Sequence, residues 1–420
     1  MRLGLAASPE RPSSLLMENT FIPELLDGTG VCVCVCVCVC VCVCVCVRKR
    51  ERVRQVVDFF EVPLATRLGP GEDLFDFLAQ CLSQFIQHKK LTGRNLKLGF
   101  TFSFPMTQRS LDVGILASWT KSFNCAGVVG RDAVEMLNTA IRKRDDLDIT
   151  VNAILNDTTG TLVMGSYLDP RCALGMILGT GSNGAYIERV DRIEKWRGRH
   201  TEREMLVDIE WGAFGDNGVL DFMRTQWDRR VDEQSLLVNS YTFEKHFGGK
   251  YLGDLYREVL LTVAREGWLG RGGAGKLATH GAITTTTVSC VEKDSFEGGT
   301  EATRKLLQEM EIQRPQEEEE EDDIAVTQYV AGIVSYRGAL LVSLMVGLLL
   351  TRMERPHCTV AIDGSLFKYH PRFRPLMSHL IAEFAPGREF DLCLAVDGSG
   401  KGAALVSAIA DRLHKAAATT

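Results

Sequence analysis

With 420 residues, 45% of them hydrophobic and 24% charged, the chain can bury two sizeable cores and has the composition of an ordinary globular protein. A net charge of −6 gives no basis for binding a polyanion, so no nucleic-acid partner is expected. Of 14 cysteines, eight fall in one repeat, and Cys81, Cys125, Cys172, Cys290, Cys358 and Cys393 form no C-x-x-C pair; this reads as unpaired thiols in a reducing compartment, the cytosol.

Residues 1–30 carry Pro and charges and lack the continuous apolar core of a signal peptide. From Val31 to Val47 the chain then alternates Val and Cys without a break. Strict alternation places every Cys on one face of a strand, but seventeen residues exceed a usual strand, and a bare Val/Cys edge invites aggregation. As a membrane span the tract sits at the lower length limit, followed by Arg48, Lys49, Arg50 and Arg52. As a metal tract it offers thiolates without the spacing of a folded zinc site. The codons GTG and TGT spell Val-Cys, so a GT dinucleotide tract translates into this text. Residues 1–52 are therefore expected to be a low-complexity, unstructured N-terminus, and there is no firm ground for membrane binding.

From Val53 the text changes. "VRQVVDFFEVPL" suits a strand, and "GEDLFDFLAQCLSQFIQHKK" a helix, with Leu74, Phe75, Leu78, Leu82, Phe85 and Ile86 on one stripe. Acidic residues at its front and Lys89 and Lys90 at its end match the helix dipole. "LKLGFTFSFP" reads as a strand stopped by Pro105, and "RDAVEMLNTAIRKR" as a helix. "ITVNAILNDTTGTLVMGSYL" reads as strand, turn and a further apolar element. "ALGMILGTGSNGAYIERV" reads as two strands about a Gly-rich turn. Interleaved strands and helices predict an α/β protein. Residues 271–323 are looser, ending in the charge run "RPQEEEEEDD". "GALLVSLMVGLLL" is only thirteen residues long and suits a buried helix. "TVAIDGSLF" and "FDLCLAVDGSGKGAALVSAIADRLHK" close the chain as strand-to-turn units, the second running into a helix.

Asn156 and Asp157 of "LNDTTGT" end an apolar strand; all these residue types form turns, yet a strand end in an α/β protein is also where a general base belongs. "LGTGSNG" (178–184), "VDGSGKG" and "AIDGSLF" are three small-residue turns whose backbone amides suit phosphate, and together they suggest nucleotide binding. "GRGGAGKL" has Walker A spacing, but Leu277 stands where a Mg²⁺-binding hydroxyl is needed, so it is a decoy. The eight His show no catalytic zinc spacing, and no metal ligands are assigned. "DIEWGAFGDNG" gathers Asp208, Glu210, Asp216 and Asn217 around Trp211 and Phe214; it is either an acidic loop over a small core or a hydroxyl-recognition site.

The ordered set "LGFTFSFP", "SWTKSF", "LNDTTGT", "LGTGSNG", "DIEWGAFGDNG", "TFEKHFGGKYLG", "DGSLFKYHP" and "GSGKGAALVSA" resembles the eukaryotic hexokinases, from about Val53 to Lys415. The resemblance implies a two-domain, actin-like (ribonuclease-H-like) α/β fold around a central cleft. By the same resemblance, 53–205 forms a small domain and 206–420 a large one, with ATP and Mg²⁺ serving phosphorylation of glucose or another hexose at its 6-hydroxyl. Carried over, Asp157 is the base; Ser103, Thr120, Lys121, Asn156, Asn183, Glu210 and Glu244 are sugar contacts. Thr180, Gly249, Lys250, Ser365, Ser399, Gly400 and Lys401, with the Thr285–Ser289 turn, lie near ATP. The family's first phosphate hairpin, Asp-x-Gly-Gly-Thr-Asn-x-Arg, finds no match: "LLDGTG" lacks the Asn and Arg and runs into the repeat. The front strands are thus expected to be missing and a sheet edge open. The alternative to this function is a non-catalytic sugar-binding protein or an incomplete gene model.

Overall fold

The computed structural model describes residues 31–37, 40–49, 52–196, 203–313 and 317–417. Its twelve strands, in chain order, are β1 (Val31–Val37), β2 (Cys40–Lys49), β3 (Arg52–Glu61), β4 (Leu96–Phe102), β5 (Met106–Ser110), β6 (Val113–Leu116), β7 (Ile149–Leu155), β8 (Cys172–Leu178), β9 (Ser182–Arg189), β10 (Glu204–Asp208), β11 (His357–Asp363) and β12 (Glu389–Leu394). They form two five-stranded sheets, β3-β2-β1-β4-β7 and β10-β9-β8-β11-β12, beside a β5–β6 hairpin. In each large sheet three antiparallel strands are followed by two parallel ones, so the halves repeat one topology.

The Val/Cys repeat departs from expectation. It is not unstructured over 31–37 and 40–49, and the front strands are not missing. β1 and β2 pair antiparallel from Val31↔Val47 to Val37↔Val41, and β1 lies parallel to β4 from Cys32↔Lys97 to Val37↔Phe102. The expected open edge of β4 is thereby paired. The physical reason is the period of two. Alternating residues present one consistent face to a core, and Val35 and Val43, opposite each other, are buried with Leu74, Leu78 and Phe100. Residues 1–30, including Asp27, lie outside the described residues.

The domain boundary expected at 205/206 also shifts. β8 and β9, placed by the sequence in the small domain, belong to the second sheet. The terminal helix Gly398–Ala417 returns to the first sheet, against β1 and β4. It crosses the helix Asp157–Leu168, which packs on β8. Glycines permit the approach. A Cβ on Gly402 would stand 1.9 Å from the carbonyl oxygen of Gly160, one on Gly99 2.3 Å from that of Ala403, and one on Gly175 2.5 Å from the amide nitrogen of Leu162. Sequence order cannot reveal that two helices exchange sides.

The loose segment 271–323 is largely helical: Thr285–Glu297, Glu301–Glu309 and the start of Glu317–Met353. The last is long and apolar enough to cross a membrane by length and composition, but 67% of its apolar window is buried. It packs on Phe373–Phe384 and Leu252–Arg265, as expected of a core helix.

Candidate active site

The cleft between the halves is built from strand ends. β7 delivers Asn156, whose non-helical backbone and side chain cap the helix that Asp157 opens: Oδ1 accepts from the Thr158 amide at 3.0 Å and from the Thr158 hydroxyl at 2.8 Å. Asp157 is thus fixed in a first helical turn, where a carboxylate is favoured. Its Oδ2 lies 3.3 Å from Lys121 Nζ, both side chains largely buried. Ser103 and Pro105 follow β4, and Thr120 and Lys121 follow β6.

The second half faces them with Ser182 and Asn183 on β9, Glu210 after β10, and Tyr241 and Glu244 around the short helix Thr242–Lys245. Glu210 Oε1 accepts from Asn156 Nδ2 and from Asn183 Nδ2, both at 3.0 Å, joining the two halves. Glu244 Oε2 accepts from the Ser182 amide at 2.9 Å. Lys121, Glu210 and Tyr241 all have positive φ, of 55°, 52° and 57°. Such conformations are uncommon for non-glycine residues and concentrate where surrounding structure holds a functional geometry.

Burial dominates the electrostatics. It pushes the Glu210 carboxyl well above the usual range, helped by Asp208 and Asp157, and raises Glu244. Asp208 is pushed up to about 7, first by burial and then by Asp157, against the hydrogen bond from Asn183. Asp208 does not line the pocket. It accepts from Asn183 Nδ2 at 2.9 Å and from the Thr158 hydroxyl at 3.3 Å, behind the wall.

All eight sequence-predicted catalytic and sugar-contact residues, Ser103, Thr120, Lys121, Asn156, Asp157, Asn183, Glu210 and Glu244, line this one cavity. Of the acidic group around Trp211, only Glu210 does. Asp216 accepts the Tyr241 and Thr242 amides at 3.0 and 2.8 Å, Asn217 accepts the Val219 amide, and Phe214 packs edge-on against Phe243. Trp211 is buried, its Nε1 donating to Ser182 Oγ at 3.1 Å. Ser182 and Tyr241 carry no motif signal of their own; their places follow from the turns beside them.

A second cavity, of about 330 Å³, is lined by Thr180, Gly249, Ser365 and Leu366, with Thr284–Thr286, Ser289 and Tyr369. The Gly249–Lys250 turn docks on the 178–184 turn through Gly249 N–H to Gly179 O and Lys250 N–H to Thr180 O, at 2.8 and 2.9 Å. Lys250 Nζ reaches across to Ser122 Oγ at 2.7 Å. Ser399, Gly400 and Lys401 are not in the lining. They open the terminal helix, with Lys401 Nζ donating to Val396 O at 2.6 Å. Asp363 ties the two regions, accepting from the Gly364 amide at 2.8 Å and more loosely from Ser399. Burial raises its carboxyl to about 6. In the decoy "GRGGAGKL", Lys276 pairs with Glu311 and Leu277 is buried, so no phosphate loop forms there.

Known proteins resemble the chain in sequence and in fold. Two models of the family described as Hexokinase match residues 1–167 and 173–409. The mouse hexokinase HKDC1 is 39% identical over 370 residues, 86% of this chain and 40% of that protein. Human hexokinase-1 is 38% identical over 367 residues, 86% of this chain and 39% of that one. The chain therefore spans about two fifths of the length of these relatives. Among solved structures, the hexokinase from Schistosoma mansoni complexed with glucose superposes with a TM-score of 0.86 at 32% identity, covering 97% of this chain and 92% of the other. Matched across both halves in sequence and in fold, the chain belongs to the hexokinase family.

Proposed function

We propose that the chain binds a hexose, glucose first, in the cleft and transfers the terminal phosphoryl group of ATP to the 6-hydroxyl. The observation that carries this reading is the convergence of Asp157 and seven polar partners, from segments far apart in sequence, on one cavity between the halves. Asp157 takes the hydroxyl proton as the O6–phosphorus bond forms and the bond from phosphorus to ADP breaks; a placed base supplies roughly 10²–10⁴-fold. Lys121 holds that carboxylate in place. Ser103, Thr120, Asn156, Asn183, Glu210 and Glu244 orient the sugar, which counts heavily in phosphoryl transfer, where positioning and charge stabilisation carry the rate. The second cavity suits the nucleotide: Thr180, Thr285 and Ser365 offer hydroxyls, and Gly249 allows close approach. Mg²⁺ would enter with the nucleotide phosphates. Closing of the two halves around the bound sugar would exclude water from the transfer.

One feature favours a second reading, hexose binding with little turnover. Val37 ends β1 level with Phe102, one residue before Ser103, so β1 leaves its sheet at the cleft, and Cys38 and Val39 lead on to β2. Neither supplies a carboxylate or the backbone freedom of glycine. The two readings separate in a paired measurement of glucose binding by calorimetry and glucose 6-phosphate formation from Mg-ATP. Absence of glucose binding defeats both; tight binding without product leaves the second.

A further inference from the structure

Behind the hexose wall lies a closed ring of hydrogen bonds. Asp208 Oδ1 accepts from Asn183 Nδ2; Asn183 Nδ2 and Asn156 Nδ2 both reach Glu210 Oε1; Asn156 Oδ1 meets the Thr158 hydroxyl; and that hydroxyl returns to Asp208 Oδ1. Three members of the ring, Asn156, Thr158 and Asn183, are nine-tenths or more buried by accessible area, and Asp208 and Glu210 are half-buried. Thr158 has one proton and two acceptors, Asn156 Oδ1 at 2.8 Å and Asp208 Oδ1 at 3.3 Å. It can satisfy only one. If Asp208 carries a proton, that proton can go to Thr158 Oγ1, and the hydroxyl then gives its own to Asn156.

We propose that Asp208 is a positioning residue of the hexose site, which in its protonated form turns the Thr158 hydroxyl toward Asn156 and so holds the Asn156–Glu210–Asn183 face ready for the sugar. It touches neither sugar nor nucleotide in this arrangement and acts through Asn183 and Thr158.

The surroundings give the reason for the proton. Asp157 from the helix Asp157–Leu168 and Glu210 from the turn after β10 act directly on Asp208, Glu244 from Thr242–Lys245 stands next to Glu210, and Lys121 is the cation lining the same cavity. Four carboxylates beside one lysine cannot all be ionised in a place from which water is largely removed. Glu210 and Glu244 offer carboxylate oxygens to the cavity, whereas Asp208 offers none. A proton on Asp208 therefore leaves the sugar's acceptors intact. Closing the walls around an uncharged hexose removes more water and strengthens the demand, so sugar binding draws a proton onto Asp208.

This inference rests on the hexose-binding reading, and the experiment separates the two. Glucose binding to the full chain is measured by calorimetry between pH 6 and 8, in buffers of different ionisation enthalpy so that proton uptake is counted. The parent is expected to take up part of a proton and to bind about tenfold more weakly at pH 8 than at pH 6, the effect of one lost orienting interaction. Asp208→Asn keeps an acceptor oxygen for Asn183 and, without titrating, offers Thr158 Oγ1 an N–H donor in place of the carboxyl proton. It should bind at every pH as the parent does at pH 6, with no uptake from this position. Asp208→Ala, confirmed folded by its melting transition, should bind about tenfold more weakly than Asp208→Asn throughout. A pH slope and proton uptake that persist unchanged in Asp208→Asn would place the proton on Glu210 and overturn the proposal, as would a parent whose binding is flat across this range. A parent that binds no glucose at any pH overturns the hexose reading itself.

Discussion

Changing Glu244 to Gln is the sharpest single test of the sugar wall. Glu244 is buried, and one oxygen is committed: Oε2 accepts the Ser182 amide at 2.9 Å. A glutamine must turn its own oxygen to that amide, because its NH₂ there would set donor against donor. The NH₂ then faces the cavity, where in the proposed function the carboxylate accepts from a sugar hydroxyl. One charge-assisted hydrogen bond is lost, typically about 1.5–3 kcal/mol, so the glucose dissociation constant should rise roughly 10- to 150-fold. Fold stability gives the internal control. The Ser182 bond survives, and burial already makes the charged form of Glu244 costly, so thermal stability at pH 7.5 should hold or rise. The assay is glucose calorimetry on parent and variant, with ADP titrated in parallel. A glucose constant within threefold of the parent, in a folded variant, refutes the placement of Glu244 in the sugar wall. Equal weakening for glucose and ADP refutes the separation of the two cavities.

Asp157→Asn should cut glucose 6-phosphate formation by roughly 10²–10⁴-fold, with glucose binding still measurable; equal turnover would remove Asp157 from the chemistry. Gly184→Ala would place a Cβ 2.6 Å from Trp211 Cζ3, an overpacking cost of about 1–3 kcal/mol read by urea denaturation, and should weaken glucose binding through the adjacent Glu210. Burial pushes His370 down to about 4, below its ordinary value near 6.5, so the unfolded chain binds more protons between those values; stability should fall as pH drops from about 6.5 toward 4 and level off below, a slope that His370→Gln should flatten in urea titrations. Replacing the Cys38–Val39 connection by Asp-x-Gly-Gly-Thr-Asn-x-Arg should raise phosphoryl transfer while solubility changes little, because β1 and β2 already pair the sheet edge; a large gain in solubility would contradict the pairing described.

Asn156 and Asp157 are legible in the sequence as the end of an apolar strand, and where the sequence reads a turn the structure shows Asn156 capping a helix that Asp157 opens. Glu210 is legible as one of the acidic group around Trp211 and through the family motifs, Glu244 through the motifs alone. Nothing in a one-dimensional pattern announces positive φ at Lys121, Glu210 and Tyr241, which depends on contacts made after folding. Asp208 is legible only as one of the acidic residues around Trp211; its bond from Asn183, a residue 25 positions earlier, is made by folding and leaves no sequence signal. The acidic run before the long apolar helix reads as loop by charge, yet 317–323 is helical, its residues joining a helix whose later turns are buried.

The Val/Cys repeat shows most clearly how structural and chemical information part company. A sheet edge asks for alternating side chains and free backbone groups, and the repeat supplies both. It does not choose a register. Sliding β1 along β2 by two residues still sets Val against Val, so the identity of the hairpin partners is neutral to the slip. Only the irregular neighbours discriminate: Leu98 and Phe100 beside Val33 and Val35, and Val56, Asp58 and Phe60 beside Val45, Val43 and Val41. Yet every such register presents the cleft with the same two residue types. No slip brings a carboxylate, a glycine or an asparagine to the end of β1 beside Ser103. Binding of a neutral hexose draws on residues 103–244, which the repeat leaves intact. Turnover draws on charge and backbone donors placed against a polyphosphate, and that is the part alternation cannot encode. The front of this chain should therefore limit the rate of transfer and leave sugar affinity nearly untouched, which is the order of effects that the loop replacement and the glucose calorimetry measure side by side.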